Sequence, residues 1–426
     1  MRRNMRVLGI IAEYDPFHNG HLYHLKESIS RTGAEASVVL MSGCFTQRGL
    51  PAMTDKRVRA GVAAECGVDL VIELPFVYAA GGAEMFARGA VGIMDGLGVV
   101  DYLSFGSESG DVEALSRVAA LFAEDSERLN GAIREAMGQG ASYPAAREQS
   151  ISELMGAAAA SLMRAPNNIL AMEYLRELIA VGSDIIPITV KRAAAGLGDV
   201  NTTARVAGAS ALRVMFRGLC NADGAHGAAD DAEDAAGGDP FEYVPAATER
   251  AIREQIDTGG YLVFAEALFP HLVSSIIQSD CVLANLSNIY SAAEGLENRL
   301  VRAVRRSRSM DEAVRYTKTR RYTETRVRRL ILHTVMGLTK EAMSAALAEP
   351  FYARVLAFSN TGAYLVRRAK DKGRIPLVTN ANRDVDALAS SSVTLGYDLR
   401  AAELYRLLSY GSLAGFNEIS ERPWVV

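Results

Sequence analysis

Short unbroken apolar runs, separated by longer amphipathic stretches, dominate the first half of the chain. Val7-Leu8-Gly9-Ile10-Ile11, Ser37-Val38-Val39-Leu40-Met41, Leu70-Val71-Ile72-Glu73-Leu74 and Val99-Val100-Asp101-Tyr102-Leu103 are dense enough for strands buried on both faces. Ile185-Ile186-Pro187-Ile188-Thr189-Val190 is a fifth candidate. Residues 21–31, 56–66 and 83–94, lying between these runs, place apolar side chains at helical spacing. This alternation predicts an α/β fold, a Rossmann-like parallel sheet with helices on both faces. Ligands of such sheets bind beyond the carboxyl ends of the strands. The loops that follow the apolar runs are therefore the places to look for chemistry.

The second half is patterned differently. Residues 241–426 are largely helical in spacing, and 221–240 hold Ala, Gly and six acidic residues with no Lys or Arg. So polar a stretch buries too little apolar surface to offset the entropy of ordering. A chain of 426 residues also exceeds what one core organises. The expected organisation is a catalytic domain over 1–219, a flexible acidic insertion over 220–240 and a mainly helical domain over 241–426.

Composition changes this picture only locally. With 49% hydrophobic and 23% charged residues, a folded soluble protein is expected, and a net charge of −4 predicts no polyanion partner for the molecule as a whole. Residues 299–329, however, carry twelve Lys or Arg against Asp311, Glu312 and Glu324, a local +9. Tyr316, Tyr322, Thr319, Thr323 and Thr325 lie among them. Basic groups grip phosphates and tyrosines stack on unpaired bases, so Lys318, Arg320, Arg321, Tyr322 and Arg326 are expected at a nucleic-acid surface. Cys44, Cys66, Cys220 and Cys281 form no CxxC pair and no metal spacing, which fits reduced thiols and no metal site. The N-terminal apolar run is interrupted by Glu13 and is too short for a membrane span, so a cytoplasmic protein without a membrane partner is expected.

The sharpest motif follows the first strand: Glu13-Tyr14-Asp15-Pro16-Phe17-His18-Asn19-Gly20-His21-Leu22-Tyr23-His24. Pro16 breaks the strand into a loop, and Leu22, Leu25 and Ile29 then fall at helical spacing. A helix N-terminus facing this loop is a natural phosphate seat. His18 and His21, separated by Asn19 and Gly20, can both turn toward one anion. Fixed N–H donors of that kind stabilise charge that develops on phosphate oxygens. A pair of helix-capping histidines without catalytic role is the bland alternative. Two histidines three apart make a poor zinc site without a third ligand.

That run resembles the HxGH element of the nucleotidyltransferase superfamily and, more narrowly, the bacterial tRNA(Met) cytidine acetate ligase family. Further matching stretches are Met41-Ser42-Gly43-Cys44-Phe45-Thr46-Gln47-Arg48-Gly49, Asp69-Leu70-Val71-Ile72-Glu73-Leu74-Pro75-Phe76, Ser104-Phe105-Gly106-Ser107-Glu108-Ser109-Gly110, Pro166-Asn167-Asn168-Ile169-Leu170 and Thr189-Val190-Lys191-Arg192. The resemblance implies an enzyme that joins acetate to ATP as acetyl-adenylate, then acetylates the wobble cytidine of elongator tRNA(Met), with Mg2+ on the phosphates. It implies catalytic roles for His18 and His21, and ATP contacts from Ile11, Ala12 and the run 13–24, with Gly106, Asn167 or Asn168, and Arg192. Ser210 and Arg213 look like the superfamily's second phosphate motif, and the basic segment becomes the tRNA surface. Two departures stand out: Asp15 occupies a position where the family usually has Asn, and Ala195-Gly196-Leu197-Gly198-Asp199 lacks an expected aromatic-His pair. An adenylyltransferase acting on a small molecule or protein thiol, and a non-catalytic RNA-binding protein, are the rival readings.

Overall fold

All five expected strands pair in one sheet in the computed structural model, which describes residues 5–124, 126–141, 143–192, 207–222, 238–280, 283–319, 321–380, 384 and 392–426. They are β1 (Val7–Ala12), β2 (Ala36–Ser42), β3 (Leu70–Leu74), β4 (Tyr102–Ser107) and β5 (Ile186–Lys191). Their spatial order is β5-β4-β1-β2-β3, and every pair is parallel. Chain order reverses beside β1, so the carboxyl ends of β1 and β4 frame a switch-point crevice. β4 begins three residues later than its apolar run suggested. Asp101 accounts for this: its carboxylate accepts the Val7 N–H at 2.7 Å, and ladder pairing begins with Tyr102 opposite Leu8.

Alternation along each strand divides the core between two layers. Val38, Leu40, Leu70 and Ile72 belong to a cluster with residues of the helices Ala83–Gly96 and Pro166–Ala180. Val39, Met41 and Val71 face the other way, toward the helices Asn19–Thr32 and Lys56–Glu65. All seven strand residues are fully buried, the condition that makes such strands uniformly apolar.

The mostly helical second half also extends the sheet. β6 (Ala353–Phe358) runs antiparallel to β3, and β7 (Leu377–Val378) and β8 (Trp424–Val425) both run parallel to β6. A buried group of charges fastens this addition. Lys56 Nζ lies 2.5 Å from Glu73 and 2.8 Å from Glu418, while Arg354 reaches Glu418 at 2.8 Å and Arg57 reaches it at 2.7 Å. Burial pushes the Glu418 carboxyl up, but Lys56, Arg354 and Arg57 outweigh that and hold it far below the usual carboxylate range. Removing one member of such a group strands its partners as buried uncompensated charge. Glu418→Ala is therefore expected to lower unfolding free energy by about 3 kcal/mol, read as a lower urea midpoint at unchanged m-value.

Candidate functional site

The loop between β1 and the helix Asn19–Thr32 turns sharply, with Tyr14 at φ 50° and a cis peptide between Asp15 and Pro16. His18 ends it in an extended N-cap conformation, φ −131° and ψ 170°. The two histidines then cap the helix reciprocally. His18 Nδ1 accepts the Gly20 N–H at 3.1 Å, and His21 Nδ1 accepts the His18 N–H at 3.3 Å, a capping box built from imidazoles. Their rings stack with centroids 3.6 Å apart.

This arrangement decides the tautomers. A neutral ring whose Nδ1 accepts must carry its proton on Nε2. Burial, reinforced by the charge of Arg192, lowers the His18 pKa to about 3, and burial with His18 and Arg192 takes His21 well below its ordinary value. Both rings are thus neutral Nε2–H donors at pH 7. His18 Nε2 is buried and has no hydrogen-bond partner in the protein. A buried orphan donor costs about 1–3 kcal/mol unless a ligand accepts from it. The helix start itself is less open than expected: the Gly20, His21 and Leu22 amides already donate to His18. Anion donation here falls to the rings rather than to free amides. His24 Nε2 contacts Ser104 Oγ at 2.9 Å, with Ser28 bridging, so His24 ties the helix to β4; burial first, then Arg192, lowers its pKa to about 4.

Other members of the motif are placed by the core. Tyr14, Pro16 and Phe17 are buried, so they can approach a ligand only through their backbone. Ile11 and Ala12 end β1, while Leu22 and Tyr23 are half-buried in the first turns of the helix. Asn19 donates to Glu242 O at 3.4 Å, and Thr248 Oγ1 donates to Phe17 O at 2.9 Å. Residues beyond the acidic insertion therefore brace the loop. Glu13, whose carboxyl burial pushes up, accepts the Gln47 N–H at 2.8 Å.

Asp15 resolves one departure noted above. Its Oδ1 accepts the Met53 N–H at 2.6 Å, and its Oδ2 is paired with Arg213. The extra negative charge is neutralised inside the protein, and the same pair engages Arg213. Ser210, in the first turn of the helix Ala209–Ala222, receives Arg48 Nη1 at 2.8 Å. Ser210 and Arg213 thus latch the loops after β2 and β1 in this structure instead of standing open as a phosphate grip.

At the ends of β4 and β5, Gly106 lies beneath the Arg192 side chain, where a Cβ would come within 3.2 Å of Arg192 Cγ. Arg192 Nη1 reaches Asn167 Oδ1 at 3.5 Å. Asn168, only 3% exposed, accepts the Glu108 and Ser109 amides at 3.0 and 3.1 Å, and the Glu108 carboxylate returns to Asn167 Nδ2 and the Asn168 amide. Asn168 builds the turn, leaving half-buried Asn167 and exposed Arg192 as the pair nearer solvent. The stretch 195–199 lies outside the described residues, as does most of the acidic insertion.

Arg59 escaped the sequence reading. It is 2% exposed and donates to Thr54 O, Glu13 O, Ser42 O and Gly43 O, joining the loops after β1 and β2 from beneath. Its only sequence signal is a cation on the apolar face of a helix, one turn before Val62 and Ala63. In the basic segment, Tyr322 turns inward: it is 8% exposed, its hydroxyl donates to Glu294, and Arg321 and Arg326 cover its ring. That correction removes it as a base-stacking surface, because its face is already covered. Arg320 lies outside the described residues, while Lys318 and Arg321 are exposed. Tyr316 is half-buried with Arg306 and Arg315 at 4.3 and 5.1 Å from its ring centre. Among the described residues, no three His, Cys, Asp or Glu gather as a metal site, Cys44 and Cys66 are free thiols, and no helix is long and apolar enough to cross a membrane.

The chain is similar over nearly its whole length to known proteins. The HIGH nucleotidyl transferase model matches residues 5–416. A tRNA(Met) cytidine acetate ligase of Caldanaerobacter subterraneus is 35% identical over 95% of both chains, and one of Acetivibrio thermocellus is 38% identical over 88% of both. A crystal structure of Thermotoga maritima TmcAL bound with α-thio ATP superposes with a TM-score of 0.87 at 30% identity, covering 99% of each chain. The chain belongs to the HIGH nucleotidyl transferase family and, with these relatives, to the tRNA(Met) cytidine acetate ligases.

Proposed function

We propose that the protein ligates acetate to the wobble cytidine of elongator tRNA(Met) in two steps, both at the carboxyl edge of β1 and β4. An acetate oxygen attacks the α-phosphorus of ATP, the bond to the β-phosphate oxygen breaks, and pyrophosphate leaves acetyl-adenylate behind. The exocyclic N4 amine of cytidine then attacks the acetyl carbonyl, AMP departs, and the amine loses a proton to give N4-acetylcytidine. The observation that carries this reading is the buried, partnerless Nε2–H of His18, held in that tautomer by Gly20. With His21 beside it, it supplies neutral donors for oxygens that gain charge at the α-phosphorus. Arg192 and Asn167 are assigned to the nucleotide at the ends of β5 and β4. Mg2+ would ride mainly on the phosphates and water, as this hard cation commonly does.

The basic segment is assigned to the tRNA backbone, through Lys318, Arg321 and Arg326. A cleft of about 530 Å3 lined by Arg315, Lys318, Thr319 and Arg328, with Asp311 and Glu324, lies in that surface. A wobble base in an anticodon loop is already unpaired, so presenting its N4 costs little. A cytoplasmic setting is part of the same proposal.

The direct test incubates tRNA with the protein, ATP and isotope-labelled acetate, followed by mass spectrometry of the nucleosides. Labelled N4-acetylcytidine in elongator tRNA(Met) is the expected product, and its absence beside active ATP–pyrophosphate exchange would point to another acyl acceptor. His18→Ala should lower that exchange by about 10²–10³, with tRNA affinity nearly unchanged. A second expectation concerns pH. His18 binds its proton only near pH 3 when folded but near 6.5 when unfolded, so between these values the unfolded chain holds more protons. Stability is then full above pH 6.5 and declines as pH falls toward 3, on the order of 1–2 kcal/mol per buried imidazole by pH 5. Urea midpoints that stay flat from pH 7.5 to 5 would show that the rings are not held neutral.

A further inference from the structure

The loop after β2 touches both the nucleotide side and the basic side of the molecule, and one of its residues hydrogen-bonds to both. The Gln47 N–H donates to the Glu13 carboxylate at 2.8 Å, while Gln47 C=O accepts from Arg329 Nη1 at 3.1 Å. Glu13 continues β1 toward His18, and Arg329 lies on the helix Glu324–Met336, which carries Arg326 and Arg328. Two residues on, Gly49 adopts φ +74°, and a Cβ there would fall 2.6 Å from Arg329 N. Backbone meets backbone at that point, so the loop cannot yield without moving the helix. The loop is itself closed, with Gly49 N–H donating to Thr46 O at 2.9 Å and Thr46 N–H to Leu50 O at 2.9 Å.

Arg329 differs from its basic neighbours. Arg321 and Arg326 are exposed, whereas Arg329 is half-buried, and burial, with Arg326 beside it, lowers its pKa. A guanidinium gives up hydration at such a site only where it gains a directed hydrogen bond, here to a carbonyl. Its position is that of a strut, not of a phosphate contact.

We infer that Arg329 is a positioning residue for acetyl transfer, holding the basic helix at a set distance from the adenylate through Gln47 and Glu13. This rests on the two-step ligase reading above. The first step needs only the β1–β4 edge and is indifferent to the helix. The second requires N4 of a base anchored on one element to meet an acetyl group anchored on another, where a displacement of about 1 Å can cost on the order of 100-fold in rate.

Small nucleophiles separate the steps. Hydroxylamine traps acetyl-adenylate as acetohydroxamate without RNA, so its rate reports the first step, and acetylation of tRNA reports both. Arg329→Met is expected to keep hydroxamate formation within about twofold of wild type, while kcat for tRNA acetylation falls at least about tenfold and KM for tRNA changes little. Arg329→Lys, which can still donate to Gln47 O, should recover part of kcat. Thermal melting of both variants checks that they are folded. Equal losses in both assays, a loss confined to KM for tRNA, or an unimpaired Arg329→Met would each overturn the inference. A wild-type protein that makes no hydroxamate from ATP and acetate would instead overturn the ligase reading and this inference with it.

Discussion

Everything at the nucleotide edge depends on a pair of hydrogen bonds about 3 Å long, in which backbone amides fill the Nδ1 positions of His18 and His21. Capping usually falls to Ser, Thr, Asp or Asn, whose oxygens accept from the first amides of the helix. An imidazole accepts at one nitrogen and donates at the other. Using it as a cap therefore sets the donor's direction and protonation at once, without any further residue. Burial contributes the remaining requirement by keeping the rings uncharged. In the proposed first step these donors stand ready before a nucleotide arrives, so no proton has to move as the adenylate forms.

The surrounding charges serve that edge indirectly. Arg59 binds carbonyls from both active loops, and Asp15 with Arg213 closes an ion pair where an unpaired carboxylate would oppose a triphosphate. Arg192 adds positive charge from β5, enough to help depress three imidazoles. The site is thus a neutral donor pair set within a positive surround, which suits an anionic ligand more than a cationic one.

How much of this was legible in the sequence follows from what each feature depends on. The five parallel strands were readable because burial on both faces leaves an unbroken apolar run, and the HxGH loop because Pro16 and Gly20 punctuate it. The start of β4 was misjudged since Val99 is buried and Val100 half-buried without pairing, a distinction that periodicity does not carry. β6 went unrecognised because Ala353–Phe358, interrupted by Arg354, lies among helical patterns. Contacts between distant segments were least accessible. Nothing local to Arg213 announces Asp15, and nothing local to Tyr322 announces Glu294, so two residues expected to meet ligands were found meeting their own chain.

The buried charges around Lys56 have a bearing on biosynthesis. Arg57 and Glu418 are 361 positions apart, so a nascent chain can pair Lys56 with Glu73 early but presents Arg57 long before its own carboxylate has been made. The third strand can pair with β2 as soon as both are made, whereas its other edge stays open until β6 emerges far later in the chain. That side of the sheet is closed, and its buried charges fully matched, only when segments from the far end of the chain are in place.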